Sequence, residues 1–154
     1  MPKTFHAKLT RTGAEEVHSI SLDTGGFHGA SVCAPPKLEG YPGCTSPHQL
    51  FLAAVGSCVN IIFEMACGKA RVEVLDITSD IRGDYETEEK TQRSYFTSVV
   101  VDTTVTVPKD VKERKVQRLF DIATTNCPIG NSLQNPDCSC VDLISKLTVK
   151  HPKD

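Results

Sequence analysis

A long apolar segment between residues 46 and 68 constrains the fold more than any other part of this chain. It opens with Ser46, Pro47 and Gln49, which suit an N-cap, a first helical position and the returning half of a capping box. We therefore predict a helix from Pro47 to about Gly68. Its broadest apolar face has Cys58 near the centre and is formed by Leu50, Ala54, Val55, Cys58, Ile61, Ile62 and Met65.

The opposite side of this helix is apolar as well, because Leu52, Val59 and Phe63 cover most of it. A narrow polar edge remains, formed by Gln49, Ser57, Asn60 and Glu64. A helix that is apolar nearly all round is a buried one. A chain of 154 residues has little material to bury it within one subunit, so we expect a homodimer in which a partner covers part of it.

Alternation of apolar and polar residues predicts strands on both sides of this helix. The strand segments are 3–11 and 15–22 as a hairpin, 27–33 in a loop rich in glycine and proline, 71–86 and 93–107 as a long hairpin, and 140–150. A second helix is predicted from Asp110 as its cap, and a short helical turn over 128–134 with Cys127 as its cap. The order of elements indicates an α+β fold in a single domain over residues 1–154.

Charge and hydropathy argue against several kinds of partner. The formal net charge is −2 and the isoelectric point is near 6.2, so no basic surface is expected for nucleic acid or an anionic membrane. The first six residues lack the apolar core of a secretion signal, and no uninterrupted apolar run reaches the ~20 residues of a membrane span. We therefore expect a cytoplasmic protein.

The chain has seven cysteines, an odd number, and the cytosol reduces disulfides, so a permanent disulfide framework is not expected. Cys33 and Cys44 in the glycine- and proline-rich loop, and Cys67 on the polar side of the long helix, are interpreted as incidental. Cys138 and Cys140 are separated by one residue, which does not match the spacing of structural zinc sites. We interpret these two as packed or solvent-side thiols.

Cys58 and Cys127 lie in settings that suit working thiols. Cys127 precedes Pro128 and faces free N–H groups at the start of a helical turn, which lower the pKa of a thiol. For Cys58, composition alone favours a packed core thiol, since free cysteine is among the most buried residue types. A metal site built from His48, Cys58 and Cys127 is possible by ligand type but has no spacing signature. We expect no metal and no cofactor.

Residues 46–58, SPHQLFLAAVGSC, resemble the central-helix motif of the OsmC/Ohr family of thiol-dependent peroxidases. Cys127-Pro128-Ile129 with Leu133 resembles the second cysteine motif of that family. The resemblance implies antiparallel sheets around a long buried central helix, in an intertwined homodimer with active sites at the subunit interface. It also implies that Cys58 is the peroxidatic cysteine, that Cys127 resolves its sulfenic acid, and that a dithiol reductant restores the pair.

The chain departs from this pattern at His48, where the best-characterised members carry a glutamate. That glutamate works with an arginine of the N-terminal region, and no arginine occurs here between Arg11 and Arg71. His48, or Lys37, is therefore the candidate cation beside Cys58, and the match is closer to the broad OsmC-like branch. Two functions remain open: a peroxidase of organic hydroperoxides, and a non-catalytic or redox-sensing binder of an apolar small molecule in the dimer-interface pocket.

Overall fold

The computed structural model describes residues 7–11, 17–22, 31–33, 44–134 and 141–153. The chain divides into two compact units, Met1–Phe51 and Leu52–Asp154. The single domain expected over residues 1–154 stays a prediction.

The first unit holds a four-stranded sheet in the order β1-β2-β3-β4. Its strands are β1 (Ala7–Arg11), β2 (Val17–Leu22), β3 (Ser31–Cys33) and β4 (Cys44–Thr45). The hairpin expected from the alternation is confirmed, because β1 and β2 pair antiparallel. β3 pairs antiparallel with β2 and parallel with β4. A strand of two residues is too short to show alternation, so the sequence did not predict β4.

Cys33 and Cys44 are joined by a disulfide that connects β3 to β4. Their α-carbons are 6.2 Å apart, a distance that a disulfide spans. The interpretation of these two cysteines as incidental was therefore wrong. The physical reason is the parallel pairing of β3 with β4, which brings together residues separated by 11 positions.

α1 spans Pro47–Lys69 as predicted. Its capping box is formed: the Gln49 N–H donates to Ser46 Oγ at 3.2 Å, and the Ser46 N–H donates to Gln49 Oε1 at 3.2 Å. By length and composition alone α1 could cross a membrane, with a mean hydropathy of 1.9 over 18 residues. The core helix of a soluble protein also passes that test.

The second unit holds a three-stranded sheet in the order β5-β6-β7. β5 (Asp76–Thr87) and β6 (Ser94–Thr106) form the long antiparallel hairpin that was expected, and β7 (Asp142–Lys150) is the predicted last strand. β7 lies parallel to β6, so each sheet contains one parallel pair beside its antiparallel pairing, and the expected antiparallel sheets need this correction. A parallel neighbour requires a crossover, which α2 (Glu113–Thr125) and α3 (Pro128–Leu133) supply. The α+β class is confirmed.

α2 begins later than predicted. Its N-cap is Lys112, which makes no side-chain cap hydrogen bond, so the assignment of Asp110 as the cap was wrong. The chain first makes a turn in which the Val111 N–H donates to the Pro108 carbonyl at 3.0 Å. That turn occupies the residues in which the helix was expected to start.

The second unit buries one side of α1. Val59 and Phe63 are fully buried, and the Phe63 ring packs edge-on against Phe120 of α2 with ring centroids 5.3 Å apart. Gly56 allows α1 to approach β5 closely, because a Cβ at this position would lie 2.5 Å from Cγ1 of Ile81. A side chain here would force the Ile81 side chain to move.

The other side of α1 is exposed, although it is also apolar. We call it the open face; its residues are Ala54, Ile61 and Met65, and the last two are 55% and 56% exposed. The sequence predicted burial all round with the help of a partner, and one chain buries α1 on one side. Coverage of the open face by a second subunit stays a prediction.

Candidate functional site

The structure brings Cys58 and Cys127 into contact from positions 69 residues apart. The two Sγ atoms are 2.8 Å from each other, and the Cys127 thiol donates to the Cys58 sulfur. Cys58 lies on α1 and is half-buried, whereas Cys127 is fully buried. Two thiols at this distance need little movement to form a disulfide, whose S–S bond is about 2.05 Å long.

Local structure holds Cys127 in place at the junction of α2 and α3. Cys127 is the N-cap of α3, as predicted, and its sulfur accepts a hydrogen bond from the Gly130 N–H at 3.3 Å. Pro128 occupies the first turn of α3, where its missing N–H costs nothing. A Cβ at Gly130 would lie 3.0 Å from Cδ2 of Leu143, so the absence of a side chain lets α3 pack closely on β7.

The pKa of Cys127 is raised from 9.0 to about 11; burial is the largest cause, and the hydrogen bond to Cys58 acts in the same direction. The N–H groups of Gly130 and Ile129 lower this pKa without offsetting the burial. The prediction that the helix start would lower the Cys127 pKa was therefore wrong. Hydrogen bonds from two N–H groups stabilise the thiolate, but removal of the thiolate from water destabilises it more.

A network of three polar side chains lies between α1 and the sheet, close to Cys58. Ser79 Oγ of β5 donates to Asn60 Oδ1 at 2.8 Å, and it lies 2.7 Å from Thr103 Oγ1 of β6. Thr103 is fully buried and lies 3.2 Å from the same amide oxygen of Asn60. Asn60 follows Cys58 by two residues, so this network restrains the part of α1 that carries Cys58.

A groove of about 390 Å³ runs between α1 and α2. Its lining is mainly apolar, with Lys69 and Asn126 as its polar members: Ile62, Met65, Ala66, Lys69, Ile122, Ala123 and Asn126. Ile62 lies one helical turn after Cys58, and Asn126 immediately precedes Cys127. Neither cysteine lines the groove itself; its lining residues follow Cys58 along α1 and precede Cys127 along the chain.

The remaining site candidates are placed as follows. His48 lies in the first turn of α1 and is half-buried. Lys37, Cys138 and Cys140 lie outside the described residues. Within the described part of the chain, the hydrogen-bond partner of the Cys58 sulfur is Cys127, and no cluster of three or more His, Cys, Asp or Glu side chains could hold a metal ion.

A family model described as an OsmC-like protein matches residues 40–140, well over half of the chain. The matched range contains both cysteines of the pair and the whole of α1. The chain belongs to the OsmC-like family.

Solved structures agree with this OsmC-like fold. An OsmC-like protein from Mycoplasma pneumoniae superposes with a TM-score of 0.82 at 14% identity, covering 98% of this chain and 100% of that one. An OsmC-like protein of unknown function from Vibrio cholerae superposes with a TM-score of 0.76 at 19% identity, covering 96% of this chain and 100% of that one. The organic hydroperoxide resistance protein OhrB of Bacillus subtilis superposes with a TM-score of 0.67 at 20% identity, covering 95% of this chain and 98% of that one. No curated protein sequence matches the chain.

Sequence reasoning missed two buried features of this OsmC-like chain. It assigned Cys67 to the polar side of α1, but Cys67 is fully buried one turn after Phe63, and burial raises its pKa to about 11. It also left Asn60 on the polar edge of α1. Ser79 and Thr103 could have indicated a buried partner, since both are polar residues at inward positions of long strands.

Proposed function

We propose that this protein is a thiol-dependent peroxidase that reduces organic hydroperoxides through a two-cysteine cycle. The observation that carries the proposal is the contact of Cys58 with Cys127 at 2.8 Å. Membership of the OsmC-like family, and structural likeness to proteins described as organic hydroperoxide resistance proteins, support the same chemistry.

In the proposed cycle the Cys58 thiolate attacks the terminal oxygen of the hydroperoxide. The O–O bond breaks, the alkoxide leaves as an alcohol after taking a proton, and Cys58 becomes a sulfenic acid. The Cys127 sulfur then attacks the Cys58 sulfur, hydroxide leaves as water, and a disulfide forms. A dithiol reductant supplies two electrons and two protons to restore both thiols.

The unequal environments of the two cysteines support this division of roles. Cys58 is half-buried, so a hydroperoxide can reach its sulfur, and that sulfur accepts the hydrogen bond of the Cys127 thiol. Cys127 is buried and keeps its proton because its pKa is raised to about 11. A protonated Cys127 does not compete for peroxide, since the thiolate is the nucleophile. Its proton is also available to the hydroxide that leaves Cys58 in the resolving step.

We further propose a cytoplasmic homodimer without nucleic-acid or membrane partners. The open face of α1 supports the dimer, because Ile61 and Met65 together expose an apolar surface on a helix that is apolar on both sides. The partner subunit would then complete the wall of the groove between α1 and α2. His48 is the proposed cation that favours the Cys58 thiolate when it is protonated, with Lys37 as the alternative.

The test is the consumption of an organic hydroperoxide, such as cumene hydroperoxide, with a dithiol reductant. We expect Cys58→Ser to abolish turnover, because no sulfenic acid can form. Cys127→Ser should complete a first turnover and then accumulate sulfinic acid at Cys58, which mass spectrometry detects. Cys67→Ser is the matched control and should turn over as the wild type does, since its thiol is buried away from this chemistry.

Equal multiple-turnover activity in the Cys58→Ser and Cys127→Ser variants would contradict the assigned roles. Hydroperoxide consumption no faster than the uncatalysed rate in the wild type and in both variants would favour the second candidate, a non-catalytic or redox-sensing binder of an apolar small molecule. The apolar groove of about 390 Å³ is the observation that favours this candidate. Stoichiometric binding of an apolar fluorescent probe would support it, and a change of affinity with the redox state of the two cysteines would identify the redox-sensing form of this candidate.

A further inference from the structure

The disulfide between Cys33 and Cys44 ties down the segment that leads into α1. β4 consists of Cys44 and Thr45 alone, and its pairing with β3 covers two residues in parallel. Parallel pairing is slightly less stable per residue than antiparallel pairing. The covalent bond to Cys33 is therefore the principal attachment of β4 to its sheet.

The residues after β4 form the N-terminal turn of α1 without any intervening loop. Thr45 Oγ1 donates to Gln49 Oε1 at 3.3 Å, and Ser46 and Gln49 form the capping box. The first backbone hydrogen bond of the helix runs from the Leu50 N–H to the Ser46 carbonyl at 3.1 Å. A change in the position of Cys44 is thus transmitted directly to the cap.

We propose that Cys33 and Cys44 form a second redox-active pair, which a dithiol opens and a disulfide compound closes, and whose state controls the order of the first turn of α1. This pair is distinct from Cys58 and Cys127, and the proposal does not depend on peroxidase activity. It rests on the cytoplasmic location proposed above, because disulfides in the cytosol are usually transient, catalytic or redox-sensing.

Access decides which sulfur reacts. Cys33 is 1% exposed, whereas Cys44 is half-buried, so an incoming thiolate meets the Cys44 sulfur. The S–S bond breaks, Cys33 leaves as a thiolate and takes a proton, and a mixed disulfide remains on Cys44. The second thiol of the reductant then displaces Cys44 as a thiol. The dithiol loses two electrons to the pair and becomes a cyclic disulfide.

Opening the disulfide leaves β4 attached through two residues of backbone pairing. We expect the capping box to fray in that state, because Ser46 is then free to move with β4. The loss corresponds to that of one N-cap, which increases hydrogen exchange at the protected amides of the first turn about fivefold. His48, a proposed residue of the peroxidase site, lies in this turn, so the redox state of the disulfide also affects how well the backbone of His48 is ordered.

The experiment uses the full chain carrying Cys58→Ser and Cys127→Ser, so that the first pair cannot contribute. The protein is equilibrated in buffers of reduced and oxidised dithiothreitol, acid-quenched and labelled with a maleimide. Mass spectrometry of its peptides then gives the labelled fraction of each cysteine. Cys33 and Cys44 should gain label together in one transition of the folded protein. Hydrogen exchange in the same buffers should be about fivefold faster at Gln49 and Leu50 after reduction and unchanged over residues 60–66.

A variant in which Cys33→Ser and Cys44→Ser are added to that background is the matched control. It should show the fast exchange of the first turn in both buffers. Three results would overturn the proposal: full labelling of both cysteines in oxidising buffer, opening of the bond only in denaturant, and first-turn exchange that reduction does not alter. The first two results are read from the chain that carries only Cys58→Ser and Cys127→Ser. They hold even if the control with Cys33→Ser and Cys44→Ser does not fold.

Discussion

The buried thiol of Cys127 leads to a quantitative prediction about its reactivity. Its pKa is raised to about 11, and the largest cause is burial, which the substitution Cys58→Ser leaves in place. At pH 7 a thiol with this pKa is ionised in about one molecule in 10,000, against about one in 100 for a pKa near 9. Cys58→Ser removes the smaller contribution of the Cys58 thiol and keeps that of burial, so Cys127 in this variant should be alkylated more slowly at pH 7 than an ordinary thiol, by up to about 100-fold.

The assay is alkylation by iodoacetamide, followed for the Cys127 peptide by mass spectrometry between pH 7 and pH 11. We expect the rate to rise about tenfold per pH unit with no plateau at or below pH 9, because burial keeps the pKa above that of an ordinary thiol. The same peptide in urea is the control, and its rate should level off near the ordinary pKa of a cysteine. Slow alkylation that does not depend on pH would indicate restricted access instead.

A plateau at or below pH 9 in the folded Cys58→Ser variant would refute this reasoning. It would mean that the N–H groups of Gly130 and Ile129 outweigh burial at the sulfur. Cys127 would then be a second thiolate able to react with peroxide itself, and the separation of attacking and resolving roles would lose its physical basis.

Four further predictions follow from the described contacts. Phe120→Ala should lower the free energy of unfolding by about 3–5 kcal/mol in urea titrations, because it leaves a cavity beside a buried ring; a loss below about 1 kcal/mol would contradict this packing. Asn60→Leu should cost about 1–3 kcal/mol, since the buried Thr103 hydroxyl and the half-buried Ser79 hydroxyl lose their acceptor, and no loss would mean that the network is dispensable. The pKa of Cys67 is about 11 when folded against 9.0 for an unburied thiol, so the folded state keeps a proton that the unfolded chain releases. Stability should therefore fall as pH rises from about 9 to 11, and Cys67→Ala should flatten that fall in urea midpoints measured across this range. Met65→Glu should shift sedimentation from dimer to monomer with an unchanged circular dichroism spectrum, and an intact dimer would place the interface elsewhere.

Local features of the sequence were sufficient to predict most of the elements. The helix from Pro47, its capping box of Ser46 and Gln49, and the cap at Cys127 all depend on residues within one helical turn of each other. The strands of the long hairpin follow from alternation between neighbours. Such signals are set by backbone geometry and by side chains a few positions apart, so they survive without knowledge of the rest of the fold. The motifs around Cys58 and Cys127 also indicated the family before any contact was known.

Tertiary structure decided the features that depend on residues distant in sequence. These are the side of α1 that is buried, the parallel pairing of β7 with β6, the disulfide of Cys33 with Cys44, and the contact between Cys58 and Cys127. The Cys127 pKa belongs here too, because the local N–H groups favour ionisation while burial by the assembled core opposes it more strongly. Burial is a property of the whole arrangement, and a sequence pattern shows which residues are apolar without showing which face of a doubly apolar helix meets the sheet.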